Sequence, residues 1–290
     1  MFGQGAQGVK DADALRGKPL SRRRPAQDGT GRRFQRIGRT DGRILVQGER
    51  NAAFERRSRG GDALGALSSQ IFQVDPFVEA GRVMAGFMAD VREETGFEMT
   101  DLNLGGGFGI RYTDEDEPVP FENYMEPVSR AVRETAAARG LAQPFVMIEP
   151  GRSIVGEAGT TLYTVGSVKE IPGVRTYVAV DGGMGDNPRY ILYQSKYDML
   201  MACRAEEEPD GLYTVAGKCC ESGDLLGENV PLAAPKQGEL MAVLSTGAYN
   251  YSMASRYNRR GIPPVVMVRD GKSRLIVRGE TLEDLVRNDI

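Results

Sequence analysis

The sequence predicts an α/β segment with a parallel sheet at residues 63–156 and an all-β segment at residues 157–290. Helical and strand patterns alternate in the first segment, whereas strand patterns dominate the second up to a short final helix. The chain has 290 residues, of which 40% are hydrophobic, so it can bury a substantial core. We therefore expect a folded protein and exclude wholesale disorder.

Residues 1–62 differ in composition from the rest. They carry 15 Lys and Arg against 7 Asp and Glu, while the remaining residues carry 22 against 33. No helical or strand period persists there beyond short apolar runs such as Ile44-Leu45-Val46. We interpret this segment as a basic, poorly ordered leader. No aromatic series is interleaved with the basic residues to stack bases, which disfavours a nucleic-acid role.

A first helix is predicted to begin at Asp75-Pro76 and to end at Gly96. Asp75 suits an N-cap, Pro76 the first helical position, and Gly96 the end of a helix. Apolar residues recur within it at the spacing of one helical face, which we expect to be buried. They are Ala80, Val83, Met84, Phe87, Met88 and Val91.

A strand, a helix and a second strand follow. The strand at residues 102–104 leads into a run of glycines, a helix spans residues 121–139 before Gly140, and a buried strand spans residues 145–148. Both strands lead into glycine or polar loops, which is where parallel α/β barrels place their chemistry.

The all-β segment is predicted from six strand patterns. They cover residues 160–168, 176–180, 212–216, 240–244, 265–268 and 274–277. The last two form a hairpin at Asp270-Gly271-Lys272, and a helix at residues 282–288 follows, with Thr281 as its N-cap.

Composition excludes several function classes. The chain has no histidine, the commonest general base and metal ligand. Its cysteines, Cys203, Cys219 and Cys220, have neither zinc-ligand spacing nor a disulfide pattern, so we expect no metal. No apolar run approaches the roughly 20 residues of a membrane span, and residues 1–30 lack a signal-peptide segment, so we expect a cytoplasmic protein.

Two loops carry candidate binding chemistry. Gly105, Gly106 and Gly107 offer backbone N–H groups to a phosphate, although a simple tight turn would read the same way. Glu149-Pro150-Gly151-Arg152, after the second strand, adds a carboxylate and a guanidinium. Two such loops on neighbouring strands predict one phosphate-bearing ligand.

The chain resembles the alanine racemase-like group of pyridoxal-phosphate-dependent decarboxylases, which act on ornithine, diaminopimelate or arginine. Five motifs carry the resemblance in the family's order. They are LNLGGGFGIRY (102–112), IEPGRSIVGEAG (148–159), DNPRYILYQSKY (186–197), GKCCESGDLL (217–226) and STGAYNYSMASRYN (245–258). The resemblance implies a partial (β/α)8 TIM-type barrel followed by a C-terminal β domain.

The resemblance also implies a role for each motif residue. Pyridoxal 5′-phosphate is the implied cofactor, with Glu149 facing its pyridine nitrogen and Arg152 beside it. The implied phosphate ligands are Gly105, Gly106, Gly107, Gly151 and Tyr249, with Ser69 as an extra donor.

The implied reaction is decarboxylation of meso-2,6-diaminopimelate to L-lysine and CO2 in lysine biosynthesis. Arg152, Arg189 and Tyr193 would bind the distal carboxylate of the substrate and Glu221 its distal ammonium, with Tyr249 as a further substrate-binding residue. Cys220 would be the catalytic acid, reaching the active site of the partner subunit in a homodimer. Ornithine and arginine are the alternative substrates.

Two family features are absent. No lysine lies in a strand-like segment where the covalent cofactor anchor is expected, since Lys10 and Lys18 are the only lysines before residue 160. Ala66 stands in place of a histidine that stacks on the cofactor ring. A full barrel takes about 250 residues, so residues 63–156 supply about three of its units. We expect its N-terminal part to be missing or replaced by residues 1–62, as a frameshift would produce. An inactive homologue that regulates an intact enzyme as its dimer partner is the other hypothesis.

Overall fold

The computed structural model describes residues 34–40, 43–48 and 69–290, which fall into two separate units, 1–60 and 61–290. In the first unit, β1 (Phe34–Thr40) and β2 (Arg43–Gly48) pair as an antiparallel hairpin. Sequence patterns, in which no strand period persisted over residues 1–62, did not predict this hairpin. The rest of the expected leader, including Lys10 and Lys18, lies outside the described residues, as does Ala66.

Helix α1 (Asp75–Thr95) confirms the first predicted helix, with two corrections. The N-cap is Val74 and not Asp75, and the first helical residue is Asp75 and not Pro76, while Gly96 ends the helix as predicted with φ 68°. The buried face includes Phe77, Gly81, Ala85 and Met88.

The expected stripe on α1 was only partly right. Met88 and Val91 are buried, but Ala80, Val83, Met84 and Phe87 are half-buried. Small residues share the packed face with the large ones, and a Cβ added at Gly81 would lie 3.1 Å from Val132 Cγ2 of the neighbouring helix. A pattern of large apolar side chains does not predict that two helices approach closely at a glycine.

The parallel strands of the α/β segment are β3 (Asp101–Asn103) and β4 (Phe145–Met147), with helix α2 (Phe121–Ala138) between them. Ile71 adds a parallel bridge to Phe108. Leu102 of β3 is buried against α1 and α2 together with Met88 and Val132. This is the β/α arrangement of a TIM-type barrel, as the sequence predicted. The short helix α3 (Arg152–Val155) follows β4.

A six-stranded sheet forms most of the all-β segment. Its strands are β5 (Thr161–Ile171), β6 (Arg175–Val180), β7 (Met199–Met201), β8 (Gly211–Ala216), β9 (Leu225–Leu232) and β10 (Leu240–Val243), in the order β7-β10-β5-β6-β8-β9. All neighbours are antiparallel except β6 and β8. Helix α4 (Arg189–Tyr193) and a 3-10 turn (Ala202–Arg204) lie in the connections. Sequence patterns missed β7, which is short, and β9, whose Gly227 and Pro231 interrupt the strand pattern.

The chain ends in a hairpin and a capped helix, both as predicted. Strands β11 (Val265–Arg269) and β12 (Lys272–Val277) pair across a turn in which Asp270 and Gly271 have positive φ. Helix α5 (Leu282–Val286) begins with Thr281 in a reciprocal capping box with Asp284. Before them, 3-10 turns span Tyr251–Met253 and Tyr257–Arg259. In the described ranges, none of the helices has both the length and the apolar character needed to span a membrane.

Candidate active site

A cavity of about 310 Å3 opens where β3 and β4 end. It is lined by Ser69, Leu104, Gly105, Gly106, Gly107, Phe108, Glu149, Pro150, Arg152 and Tyr249. Seven of the residues assigned to the site from the sequence therefore meet in one cavity, across a sequence distance of 180 residues between Ser69 and Tyr249.

The glycine loop is shaped for an anion. Gly105 and Gly107 have φ values of 72° and 107°, which side-chain-bearing residues rarely adopt. A Cβ at Gly106 would lie 2.1 Å from the carbonyl oxygen of Glu149, so the two loops touch through backbone alone. Within the described residues, the N–H groups of Gly106 and Gly107 donate to no acceptor. Free backbone donors on a glycine loop fit a phosphate.

Tyr249 closes the other side of the cavity. A Cβ at position 151 would lie 3.2 Å from the Tyr249 hydroxyl, so a residue larger than glycine at position 151 would displace that hydroxyl. The ring of Tyr249 contacts two guanidinium groups, with Arg152 Cζ 4.9 Å and Arg189 Cζ 5.5 Å from the ring centroid. Tyr249 thus connects the turn at Gly151 to the two arginines.

Arg152 is buried, with 8% of its surface exposed. Its Nη2 donates to Ser69 Oγ at 2.6 Å, and its Nη1 donates to the Tyr112 hydroxyl. Ser69 is thus in the cavity as expected, with its hydroxyl oxygen on Arg152. Tyr112, which no sequence pattern identified as a site residue, holds the guanidinium from across 40 residues of chain.

Arg189 is the second buried guanidinium, with 7% exposure. Its Nη2 donates to Ser195 Oγ at 3.3 Å, while its Nε has no hydrogen-bond partner. Its Cζ lies 5.4 Å from the ring of the largely exposed Tyr193. Burial raises the pKa of the neighbouring Tyr197 to about 12, although the charge of Arg189 opposes this.

Neither Arg152 nor Arg189 forms an ion pair with any carboxylate in the described part of the chain. Buried guanidinium groups normally have an anionic partner. Two buried guanidinium groups without an anionic partner, one of which has a free Nε donor, are therefore typical of a site for an anionic ligand such as a carboxylate.

Cys220 and Glu221 lie outside this cavity. Both are exposed on the loop between β8 and β9, where the N–H of Cys220 donates to Asn258 Oδ1 at 2.8 Å. The Tyr257 hydroxyl donates to Glu221 Oε2 at 3.3 Å. The structure of one chain therefore does not bring these two residues to the other site residues.

No described lysine lines the cavity. Lys218 borders a separate cavity of about 190 Å3 in the all-β segment, together with Cys219 and Arg260. The donor set at the first cavity therefore fits the phosphate and ring nitrogen of a pyridoxal group, while its covalent anchor is not among the described lining residues.

Comparison with known proteins agrees with this geometry. The profile of the family described as "Pyridoxal-dependent decarboxylase, pyridoxal binding domain" matches residues 66–156. Residues 66–156 therefore match the pyridoxal-binding domain of this family, which confirms the resemblance found in the motifs.

Its relatives within that family are diaminopimelate decarboxylases. The Bacillus subtilis enzyme is 52% identical over 224 residues, which cover 77% of this chain and 51% of the relative. The Halalkalibacterium halodurans enzyme is 51% identical with the same coverage. The M. jannaschii enzyme, solved with L-lysine, has a TM-score of 0.69 at 32% identity, covering 77% of this chain and 50% of that one. The chain thus spans about half the length of the relatives it matches.

Proposed function

We propose that this chain binds pyridoxal 5′-phosphate and acts in the decarboxylation of meso-diaminopimelate to L-lysine and CO2. The observation that carries this proposal is the cavity itself. It combines a glycine loop with free N–H donors, the carboxylate of Glu149 and the buried guanidinium of Arg152. A second buried guanidinium, that of Arg189, contacts the ring of Tyr249 in the cavity wall, and neither guanidinium has an anion among the described residues.

The residues that would hold the cofactor follow from the cavity walls. Gly105, Gly106 and Gly107, with the backbone of Gly151 and the Tyr249 hydroxyl, would bind the phosphate, and Glu149 would meet the pyridine nitrogen. A bound pyridoxal ring supplies an electron sink for the electron pair that CO2 leaves behind. A carboxylate at the ring nitrogen favours the protonated, electron-withdrawing ring.

Substrate choice would come from the two arginines. Arg152 and Arg189, with Tyr193 beside them, would bind the distal carboxylate of diaminopimelate. Ornithine and arginine have no distal carboxylate, so either substrate would leave both buried cations uncompensated. This favours diaminopimelate over the ornithine and arginine alternatives.

The remaining catalytic groups would come from a second copy of the chain in a homodimer. Cys220 Sγ of the partner subunit would donate the proton to the α-carbon, and Glu221 of the partner subunit would bind the distal ammonium. The exposure of both residues and their separation from the cavity of their own chain support this arrangement.

The experiment that tests the proposal maps the covalent anchor. The purified chain is incubated with pyridoxal phosphate, reduced with borohydride and digested, and modified peptides are identified by mass spectrometry. One stoichiometric pyridoxyl-lysine, together with CO2 release from meso-diaminopimelate, is the expected result.

A second candidate function follows from the lack of a lysine among the described cavity residues. An inactive chain that regulates an intact enzyme as its dimer partner would bind pyridoxal phosphate without a specific lysine adduct and would release no CO2. It would also co-purify with an intact decarboxylase. That set of results would replace the proposal with the regulatory role. The cytoplasmic location and the division at residues 62 and 156 stay predictions.

A further inference from the structure

Asn103, the last residue of β3, joins the two halves of the cavity through its side chain. Its Nδ2 donates to Glu149 Oε1 at 2.6 Å, and its Oδ1 accepts from the Gly105 N–H at 2.8 Å. The two bonds fix the orientation of the amide, because the reversed orientation would set oxygen against oxygen and N–H against N–H.

The backbone around this bridge is already fixed. The N–H of Leu104 donates to Met147 O at 3.0 Å, and the N–H of Glu149 donates to Gly105 O at 2.7 Å, which extends the ladder of β3 and β4 into both loops. The position of the Glu149 backbone relative to the glycine loop therefore does not depend on Asn103.

The carboxylate of Glu149 has no such support. The side chain is exposed, and the bond from Asn103 is the one hydrogen bond that the described residues give it. Since neither burial nor a second partner holds this carboxylate, its direction depends on Asn103.

We propose that Asn103 is a positioning residue that aims the Glu149 carboxylate at the ring nitrogen of the bound pyridoxal group. This inference rests on the proposed function, because that function places the ring nitrogen at Glu149. Asn103 itself would touch neither the ring nor the substrate.

The substitution Asn103→Asp removes one hydrogen bond of the bridge and keeps the other. Aspartate keeps an oxygen to accept from the Gly105 N–H, but it sets a second oxygen against Glu149 in place of the donor. Asn123→Asp is the matched control, since it makes the same change at an exposed position in the first turn of α2.

Binding of pyridoxamine 5′-phosphate to the full-length chain, measured by calorimetry, is the test. This probe has the phosphate and the ring nitrogen but no aldehyde, so its binding requires no lysine. We expect N103D to weaken it about three- to tenfold, the range of one ordinary hydrogen bond, and N123D to leave it unchanged. Affinity for inorganic phosphate, which reports on the glycine loop alone, should change less than about twofold in N103D.

A double-mutant cycle shows whether Asn103 acts through Glu149. In an E149Q background, N103D should have little further effect on pyridoxamine phosphate, because the positioned carboxylate is already gone. Three results would overturn this inference alone. N103D and the unaltered chain could bind pyridoxamine phosphate equally well, or N103D could weaken that binding as much in the E149Q background as without it. N103D could also weaken the binding of inorganic phosphate as much as that of pyridoxamine phosphate. If the unaltered chain bound no pyridoxamine phosphate, the proposed function would be overturned, and this inference with it.

Discussion

Substitution of Gly106 by alanine is expected to break the contact between the two loops of the cavity. The added Cβ would lie 2.1 Å from the Glu149 carbonyl oxygen and 3.1 Å from its carbonyl carbon. Real Cβ contacts are not found below about 3 Å, so the loops must separate by about 1 Å. Both are tied by backbone hydrogen bonds, so the strain cannot be relieved by a side-chain rotation. Overpacking of this kind costs about 1–3 kcal/mol, and a backbone partner places G106A at the upper end.

The control is Gly86→Ala in helix α1. Nothing lies within 4 Å of a Cβ at Gly86, so alanine should stabilise the helix by about 0.5–1 kcal/mol. Urea unfolding of both variants, followed by circular dichroism, gives the two free energies of unfolding. The change from glycine to alanine should thus lower the free energy of unfolding at position 106 and raise it at position 86. Only G106A should lose affinity for inorganic phosphate. An unchanged free energy of unfolding in G106A would refute the close approach of the loops.

Two further predictions concern charged groups. Arg189→Lys replaces a planar donor with a point charge and should weaken meso-diaminopimelate binding about tenfold while leaving L-lysine binding nearly unchanged. Calorimetry with pyridoxamine 5′-phosphate present, which permits no decarboxylation, measures both affinities, and equal losses for both ligands would contradict a role at the distal carboxylate. The Arg256 guanidinium, with the N–H of Ile262, lowers the pKa of Glu280 from 4.5 to about 2. Because the folded pKa is depressed, this stabilisation is present above pH 4.5 and is lost as the pH falls towards 2. Melting temperatures of E280Q should accordingly fall less steeply over that range than those of the unaltered chain, and parallel curves would count against the assignment.

Sequence reasoning located the parts of the structure that depend on local chemistry. The glycine loop, the end of α1 at Gly96 and the cap at Thr281 each follow from what one residue type can do at one backbone position. The gathering of Ser69, Glu149 and Tyr249 in one cavity was available only through the family resemblance, since the three lie in separate motifs.

Other features depend on contacts between distant parts of the chain. Gly81 determines the packed face of α1 only because α2 approaches it, and Tyr112 becomes a site residue only because the fold brings it to Arg152. Asn103 was visible within the LNLGGG motif, but its bridge to Glu149 requires β3 and β4 to be neighbours. Pattern and composition contain no such information.

The backbone of Tyr249 has φ 66°, in the left-handed region that side-chain-bearing residues avoid at a cost of about 1–2 kcal/mol. Conformational energy of this size persists where surrounding contacts enforce it, and here the ring contacts both Arg152 and Arg189. Selection for stability alone would favour glycine at this position, whereas selection for ligand binding would retain the tyrosine. The choice of residue at position 249 should therefore distinguish, among descendants of this sequence, lineages that still use the cavity from lineages in which only the fold is maintained.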